Sequence, residues 1–204
     1  MRVLILILLC SVCFGKEIPH PYQILIFRHT EKFITIEDLD APLNQKGQKR
    51  AAYLVEFLMG GNDPIIRLNE HEIVAVCVPK EKGMKDGKPY SYVRATQTII
   101  PLFHVAEAYR MEKEGKQVEL FDSLPFSDPE PLFDKIIGDP RFAGKTVIVC
   151  WEHLHIPSLF NTHFPHVKKE LKHLGEDRFD MVWMIRWKDG KPYGTTLYQK
   201  ENHG

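Results

Sequence analysis

Two adjacent residues at the end of the first apolar run in the body of the chain could act together on a phosphate group. Ile24–Phe27 is a run that a folded chain buries, and Arg28 and His29 follow it directly. Such an ending either marks the start of an ordinary charged surface or delivers reactive groups to the rim of a sheet. A neutral imidazole attacks phosphorus well when its other nitrogen is held by a hydrogen bond. A guanidinium offers planar donors that match phosphate oxygens.

Two further residues later in the chain carry the same kind of chemistry. Arg94 begins the stretch RATQT, a predicted helix start, where the helix dipole also favours anions. His153 ends the stretch CWEH, which follows a predicted strand. Two arginines and one protonated histidine could neutralise a phosphate dianion, so the chemistry indicated is phosphoryl transfer without a metal or another cofactor.

Strand-like and helix-like segments alternate along the chain, and this order predicts the fold. Hydrophobic periodicity predicts strands at 23–27, 72–78, 117–121 and 145–151, a hairpin at 180–200, and helices at 45–59 and 94–110. Asn44 is the expected cap of the first helix, Gly47 a close helix contact, and Pro101 a kink or break in the second helix. We therefore expect a single α/β domain, a three-layer α/β/α sandwich with a mostly parallel central sheet. Segment 79–90 is predicted to be a polar loop, and the repeated KDGKPY sequence to mark two turns.

Four motifs, taken in their order, resemble those of the histidine phosphatase superfamily, which has the phosphoglycerate-mutase-like fold. They are R28-H29-T30-E31, LNQKGQKRA at 43–51, RATQT at 94–98 and His153, and the resemblance runs from about residue 23 to about residue 155. It implies a phosphatase-type member, a phosphomonoester hydrolase that forms phosphohistidine on His29. Arg28, Arg94 and His153 would hold the phosphoryl group. The substrate would be a phosphorylated small molecule or a phosphoprotein.

The reaction also needs a group that protonates the leaving oxygen and later activates water. Asp122 directly follows the third predicted strand and is the first candidate, with Glu130 and Glu152 as alternatives. Glu31 matches the acid that the family carries after its Arg-His-Gly motif, or it only braces the site.

Two departures from the family pattern bear on the reaction. Thr30 replaces the usual glycine, which adds a hydroxyl that would donate a hydrogen bond to the phosphate or narrow the pocket. The segment FDSLPFSDPEPL lacks the longer acidic-Arg-x-Tyr-Gly type of sequence expected of a mutase, which favours hydrolysis. Segments 79–91 and 122–131 are expected to shape the substrate entrance, because loops above a rigid rim set specificity.

Two other classes of function stay open at the level of sequence. Five histidines between 153 and 173 could belong to a metal-binding protein, but prolines interrupt the segment and no cysteine completes a tight site. A catalytically inactive relative that binds a phosphorylated ligand or partner would carry the same four side chains. Three observations distinguish these classes. Turnover without metal indicates a phosphatase, and chelator-sensitive stability indicates a metal-binding protein. Phosphate binding without turnover indicates an inactive relative.

The overall charge and the apolar N-terminal segment indicate which partners and which cellular location to expect. The chain has 204 residues, and its 27 Lys and Arg balance its 27 Asp and Glu, so it has no global attraction to nucleic acid. Residues 1–15 have the length and flanks of a secretory signal peptide cleaved before Lys16, with an uncleaved anchor as the alternative. We thus expect a mature domain of 16–204 that is secreted, extracellular or periplasmic, and not bound to a membrane; its oligomeric state stays open.

Cys77 and Cys150 are expected to be core residues rather than a disulfide.

Overall fold

The computed structural model of the chain describes residues 19–33, 39–171, 175 and 177–199. The predicted signal peptide lies outside these residues, so its cleavage and the secretion of the chain stay predictions. Within the described ranges, no helix combines the length and the apolar character that crossing a bilayer requires.

Eight strands and four α-helices build the described part of the chain. The strands are β1 (Gln23–Arg28), β2 (Ile73–Cys77), β3 (Lys82–Lys85), β4 (Lys88–Ser91), β5 (Glu119–Phe121), β6 (Thr146–Trp151), β7 (Met181–Lys188) and β8 (Lys191–Tyr198). The helices are α1 (Gln45–Met59), α2 (Arg94–Glu114), α3 (Pro131–Ile136) and α4 (Val167–Glu170), with short 3₁₀ turns at Pro140–Phe142 and Ile156–Phe160.

Six of the strands form one central sheet in the order β5-β2-β6-β1-β7-β8. The first four in this order are mutually parallel, and β7 and β8 are antiparallel to their neighbours. Every residue of β1, β2 and β6 is buried, as expected of parallel strands that are covered on both faces. The predicted mostly parallel sheet is therefore confirmed.

The side chains of β1 show how the two cores form on either side of the sheet. Ile24 and Ile26 pack with the core that includes α3 and the segments that follow β6, whereas Leu25 and Phe27 pack with the core of α1 and α2. Successive side chains of a strand point to opposite faces, so one apolar run serves both cores. This arrangement is the predicted three-layer sandwich.

The polar segment predicted as a loop is instead a hairpin of β3 and β4, so that prediction was wrong. The hairpin turns at Asp86 and Gly87, whose φ angles are 52° and 76°, and the second KDGKPY sequence turns in the same way at Asp189 and Gly190. Two central residues with positive φ are the geometry that matches the twist of two paired strands. The expectation of two turns is confirmed, but the lysine-rich flanks concealed the strands because lysine, glycine and proline have low strand propensity.

Other boundaries differ from the sequence-based expectation in ways that have local causes. Helix α2 continues through Pro101 without a break, and it ends at Gly115, which has a φ of 63°. The histidine-rich stretch after β6 forms the 3₁₀ turn Ile156–Phe160 and the short helix α4, with Pro165 between them. Cys77 and Cys150 are buried and unbridged, and they belong to cores on opposite faces of the sheet.

The first turn of α1 is fixed against the segment that leaves β1. The Asn44 side-chain oxygen accepts a hydrogen bond from Gly47 N (2.9 Å), and its Nδ2 donates to the Lys32 carbonyl (2.9 Å). A Cβ atom at position 47 would overlap the backbone carbonyl of Glu31. The predictions of a cap and a close helix contact are therefore confirmed.

Replacing Gly47 with alanine tests this close approach. Alanine favours a helix interior by about 1 kcal/mol, but overlap with the backbone of Glu31 forces a shift that costs about 1–3 kcal/mol or more. We expect a net loss of about 2 kcal/mol in the free energy of unfolding, measured by urea denaturation. The exposed Lys49→Ala change on the same helix is the control and leaves stability within about 0.5 kcal/mol. An equal stability for G47A and wild type would contradict the packing.

Candidate active site

The carboxyl ends of β1 and β6 bring two of the candidate residues together. Arg28 is in register with Trp151, and the backbone N–H of His29 donates to the Trp151 carbonyl at 3.3 Å. Adjacent parallel strands end at the same edge of a sheet, so Glu152 and His153 emerge beside His29.

The orientation of the His29 ring is set by its own backbone neighbour. Its Nδ1 lies 2.7 Å from the carbonyl oxygen of Thr30. A carbonyl can only accept, so Nδ1 carries the proton and the lone pair of the neutral ring lies on Nε2. The residue is 1% exposed. His29 therefore offers one oriented nitrogen as a nucleophile.

The surroundings of His29 favour the neutral imidazole. Burial lowers the pKa of His29 well below 6.5, and the charges of Arg94, Arg28 and His153 lower it further, while the Thr30 carbonyl acts in the opposite direction. All three charges thus oppose protonation of the His29 ring.

Arg94 is held at the first residue of α2 by a backbone carbonyl and an aromatic ring. It is 2% exposed, and its Nη1 donates to the Leu39 carbonyl at 3.0 Å. Its guanidinium lies 4.1 Å from the centre of the Tyr92 ring. Tyr92 is fully buried and meets His29 edge-on, with 6.2 Å between the ring centres. Burial raises the pKa of Tyr92, so its hydroxyl group stays neutral and its ring face packs against the Arg94 guanidinium. Sequence reasoning missed it, although an aromatic residue two positions before a helix-start arginine is a usable signal.

Arg28 is oriented by the segment that precedes β7. Its Nη1 donates to the Gly175 carbonyl at 3.1 Å, and its guanidinium lies 4.1 Å from the centre of the Phe179 ring. Phe179 also lies near His29, with 6.3 Å between the ring centres. Both contacts come from residues beyond the stretch that carries the family motifs, and no sequence signal pointed to them.

His153 is paired with the carboxylate that precedes it. Its Nδ1 lies 2.8 Å from Glu152 Oε1, and Glu152 Oε2 accepts from the Leu154 N–H at 2.8 Å. Burial acts to raise the pKa of Glu152, but the contact with His153 and the Leu154 N–H outweigh it, so the pKa is lowered. Glu152 directly follows β6, the neighbour of β1, so this carboxylate lies at the same edge of the sheet as His29.

Glu31 faces away from the phosphate-binding side and braces the start of α1. Arg50 Nε lies 3.0 Å from both carboxylate oxygens, and Arg50 Nη2 lies 2.8 Å from Oε1. Lys46 is 3.4 Å from the same oxygen. Burial acts to raise the pKa of Glu31, but these bonds lower it, so Glu31 is ionised and engaged. The sequence left two roles open for Glu31, the acid of the reaction or a brace of the site. The geometry supports the second role.

The structure does not bring Asp122 to the other candidate residues. Asp122 is exposed and follows β5, the edge strand, and two strands separate β5 from β1. At about 4.8 Å per strand, this is a separation of roughly 14 Å. Glu130 is also exposed and accepts from Asn161 Nδ2 at 2.8 Å. Of the three carboxylates predicted as candidates for the general acid, only Glu152 follows a strand that neighbours β1 and His29.

The Thr30 hydroxyl does not face the phosphate-binding side, contrary to expectation. It donates to the Gly47 carbonyl at 2.9 Å, and the Thr30 N–H donates to Thr98 Oγ1 at 3.0 Å. Thr98 in turn donates to the Arg94 carbonyl at 2.8 Å. Thr30 therefore ties the end of β1 to both α1 and α2.

Phe126 joins the two segments that were expected to shape the entrance. Its ring packs on Tyr90 of the hairpin at 5.2 Å and is stacked on Tyr92 at 5.3 Å. Its carbonyl accepts from Trp151 Nε1 at 2.8 Å. The hairpin and the proline-rich loop thus form one wall beside Arg94.

The positions of the histidines do not favour the metal-binding alternative. In the described ranges, no three His, Cys, Asp or Glu side chains come together in a group that could hold a metal ion. His163 instead lies 2.6 Å from Asp134, and His166 contacts the Pro192 carbonyl.

Comparison with solved structures finds the same fold in a protein described as a phosphohistidine phosphatase. A candidate phosphohistidine phosphatase SixA from Nakamurella multipartitia superposes with a TM-score of 0.50 at 16% identity, over 89% of this chain and 98% of that chain. A candidate SixA from Agrobacterium tumefaciens (TM-score 0.48, 10% identity, 81% and 92% covered) and a phosphoglycerate mutase from Bacillus anthracis str. Sterne (0.48, 16%, 90% and 94%) are also similar. No family model and no curated protein matches the sequence. The resemblance inferred from the motifs is confirmed at the level of the fold.

The buried neutral state of His29 predicts a pH dependence of stability. As the pH falls below 6.5, the unfolded chain takes up a proton on His29 that the folded chain does not, because the folded pKa is lower. The free energy of unfolding therefore falls with pH by up to about 1.4 kcal/mol per unit until the folded pKa is reached. Urea denaturation between pH 5 and 8 should show a shallower pH dependence for His29→Gln than for wild type. The same change at the exposed His104 is the control; equal slopes for wild type and H29Q would contradict the argument.

Proposed function

We propose that this protein is a metal-independent phosphomonoester hydrolase that works through a phosphohistidine on His29. The observation that carries the proposal is a buried imidazole whose Nδ1 is committed to a backbone carbonyl, set among Arg28, Arg94 and His153. A fixed, neutral nucleophile beside planar cationic donors is what phosphoryl transfer from an ester requires. The proposed substrate is a phosphorylated small molecule or a phosphoprotein.

In the first step, His29 Nε2 attacks the phosphorus atom. The P–N bond forms as the bond from phosphorus to the ester oxygen breaks, and that oxygen leaves with the electron pair. Arg28 and Arg94 donate to the phosphoryl oxygens, whose charge they neutralise in a site where burial strengthens each contact. Nδ1 keeps its proton and its hydrogen bond to the Thr30 carbonyl throughout, so the ring remains oriented.

We assign the proton transfers to the pair of Glu152 and His153. A carboxylate with a lowered pKa is ionised, so Glu152 does not itself hold a spare proton; its Oε1 lies 2.8 Å from His153 Nδ1. His153 then donates a proton to the leaving oxygen. In the second step, water attacks the phosphohistidine, the pair takes up the proton of the water, and the electron pair of the broken P–N bond returns to Nε2.

The class and the nucleophile are tested with the purified chain and His29→Ala, with excess chelator and a generic aryl phosphate. We expect turnover in wild type and a loss of about 10³-fold or more in the variant. Acid-labile, base-stable labelling by a rapidly quenched phosphate ester identifies phosphohistidine and should be absent from H29A. The exposed His104→Ala change is the matched control and keeps both signals. Equal rates in wild type and H29A would exclude His29 as the nucleophile, and phosphate binding without turnover would indicate an inactive relative.

The proton-transfer assignment is tested by comparing Glu152→Gln with Asp122→Asn. A poor leaving group needs its oxygen protonated, whereas 4-nitrophenolate leaves without help. We expect E152Q to lower kcat about 100-fold or more for an alkyl phosphate, with a smaller effect for 4-nitrophenyl phosphate. D122N should leave both rates unchanged, since Asp122 lies at the far edge of the sheet. The reverse pattern would return the acid to Asp122.

A further inference from the structure

Phe179 brings an aromatic ring to the same edge of the sheet as the candidate nucleophile. Strand β7 is antiparallel to β1 and pairs Val182 with Phe27, so the residues that precede Val182 run beside the carboxyl end of β1. The centre of the Phe179 ring lies 6.3 Å from that of His29 and 4.1 Å from the guanidinium carbon of Arg28. Strand register and ring contacts therefore agree on the position of Phe179.

Phe179 differs in its exposure from Tyr92, which also packs against a guanidinium of this site. The Tyr92 ring covers Arg94 and meets His29 edge-on, and it is fully buried. Phe179 makes the corresponding contacts with Arg28 and His29 but is partly exposed. Orienting an arginine does not require an exposed ring, as Tyr92 shows, so part of the Phe179 ring remains able to contact a ligand.

Two apolar side chains that follow candidate residues along the chain are also exposed to solvent. Leu154 comes directly after His153 and is 68% exposed, and Phe33 comes four residues after His29 and is 52% exposed. Single exposed apolar residues are common on protein surfaces. Here they follow strands that end at the edge carrying the charged groups, and organic ligands are bound where apolar surface meets a few placed polar groups.

The packing of Phe179 on Arg28 indicates what part of a bound ester would meet the ring. A guanidinium donates hydrogen bonds in its own plane, so a phosphoryl group binds at its edge, whereas the Phe179 ring covers its face. The ring is therefore beside the phosphoryl group and does not compete with it. The group esterified to that phosphate passes the exposed part of Phe179, and an aromatic ring there can pack against it offset or edge-on.

We propose that Phe179 contacts the leaving group of the substrate and that this leaving group carries an aromatic ring. The inference rests on the proposed function, because Arg28 and His29 set the position of the phosphorus atom there. Phe179 determines specificity, while Arg28, Arg94 and His153 serve the phosphoryl group that all esters share. The substrate class is thus a phosphomonoester of an aromatic alcohol, either a small molecule or the tyrosine side chain of a protein.

The kinetic test compares benzyl phosphate with ethyl phosphate, in which a methyl group takes the place of the phenyl ring. We expect wild type to have a kcat/KM about tenfold higher for the benzyl ester, Phe179→Ala to lose that preference, and Phe179→Leu to keep only part of it. A change in the orientation of Arg28 would lower both rates by the same factor, so the ratio of the two esters isolates the contact with the ring. Phe103→Leu is the matched control, because Phe103 is a partly buried phenylalanine of α2 that packs beside His104, and it should keep the wild-type ratio.

The same contact is measured without turnover by calorimetry with benzylphosphonate and ethylphosphonate, which are not hydrolysed. We expect wild type to bind benzylphosphonate about tenfold more tightly, and F179A to bind both alike. No preference in either assay, or a preference that persists in F179A, would overturn the inference. An equal loss for both ligands would also overturn it, since Phe179 would then only orient Arg28. Absence of turnover together with the preference in binding would count against the proposed hydrolysis alone.

The source of the ring is identified by a third comparison, between phenyl phosphate and a peptide that carries phosphotyrosine. Both present the same ring at the ester oxygen, so F179A should lower kcat/KM for both. A higher kcat/KM for the peptide would assign the ring to a protein side chain, and a higher value for phenyl phosphate would assign it to a small molecule. Both results agree with the inference, whereas an F179A variant with wild-type kcat/KM for both substrates would contradict it.

Discussion

The structure depends on keeping a neutral imidazole buried between guanidinium groups. An imidazolium at His29 would lose its hydration and face the charges of Arg94 and Arg28, so one protonation state is strongly favoured. The Thr30 carbonyl then selects one tautomer of that state. The carbonyl can select this tautomer only if the backbone beside His29 is rigid. Strand β1 is rigid because it is hydrogen-bonded to β6 on one side and to β7 on the other.

Thr30 transmits this rigidity from the sheet to the two helices that carry the rest of the site. Its hydroxyl bonds to the Gly47 carbonyl of α1, and its N–H bonds to Thr98, which also bonds to the Arg94 carbonyl. A residue without a side chain at this position could not make the bond to Gly47. The departure from the usual glycine therefore replaces open space near the imidazole with a link between the strand and both helices.

The parts of the site that the sequence predicted are those set by local rules. Arg28 ends a strand, His29 and His153 follow strands, and Arg94 begins a helix. The carboxyl ends of parallel strands share an edge of the sheet. Asp122 also follows a strand, but its distance from His29 depends on strand order, which chain order does not give. The contacts of Arg28 with Gly175 and Phe179 join residues about 150 positions apart and have no local signature.

The distribution of charge explains how a chain with no net charge can hold a site for an anion. Lysines and arginines equal aspartates and glutamates over the whole sequence, so long-range attraction of anions is weak and is screened beyond about 10 Å. The local balance is different, because Glu31 is engaged by Arg50 and Lys46, and Glu152 is held by His153. Arg28 and Arg94 act together on His29. Recognition at such a site depends on short contacts made within the pocket, so it selects the geometry of the anion rather than its total charge.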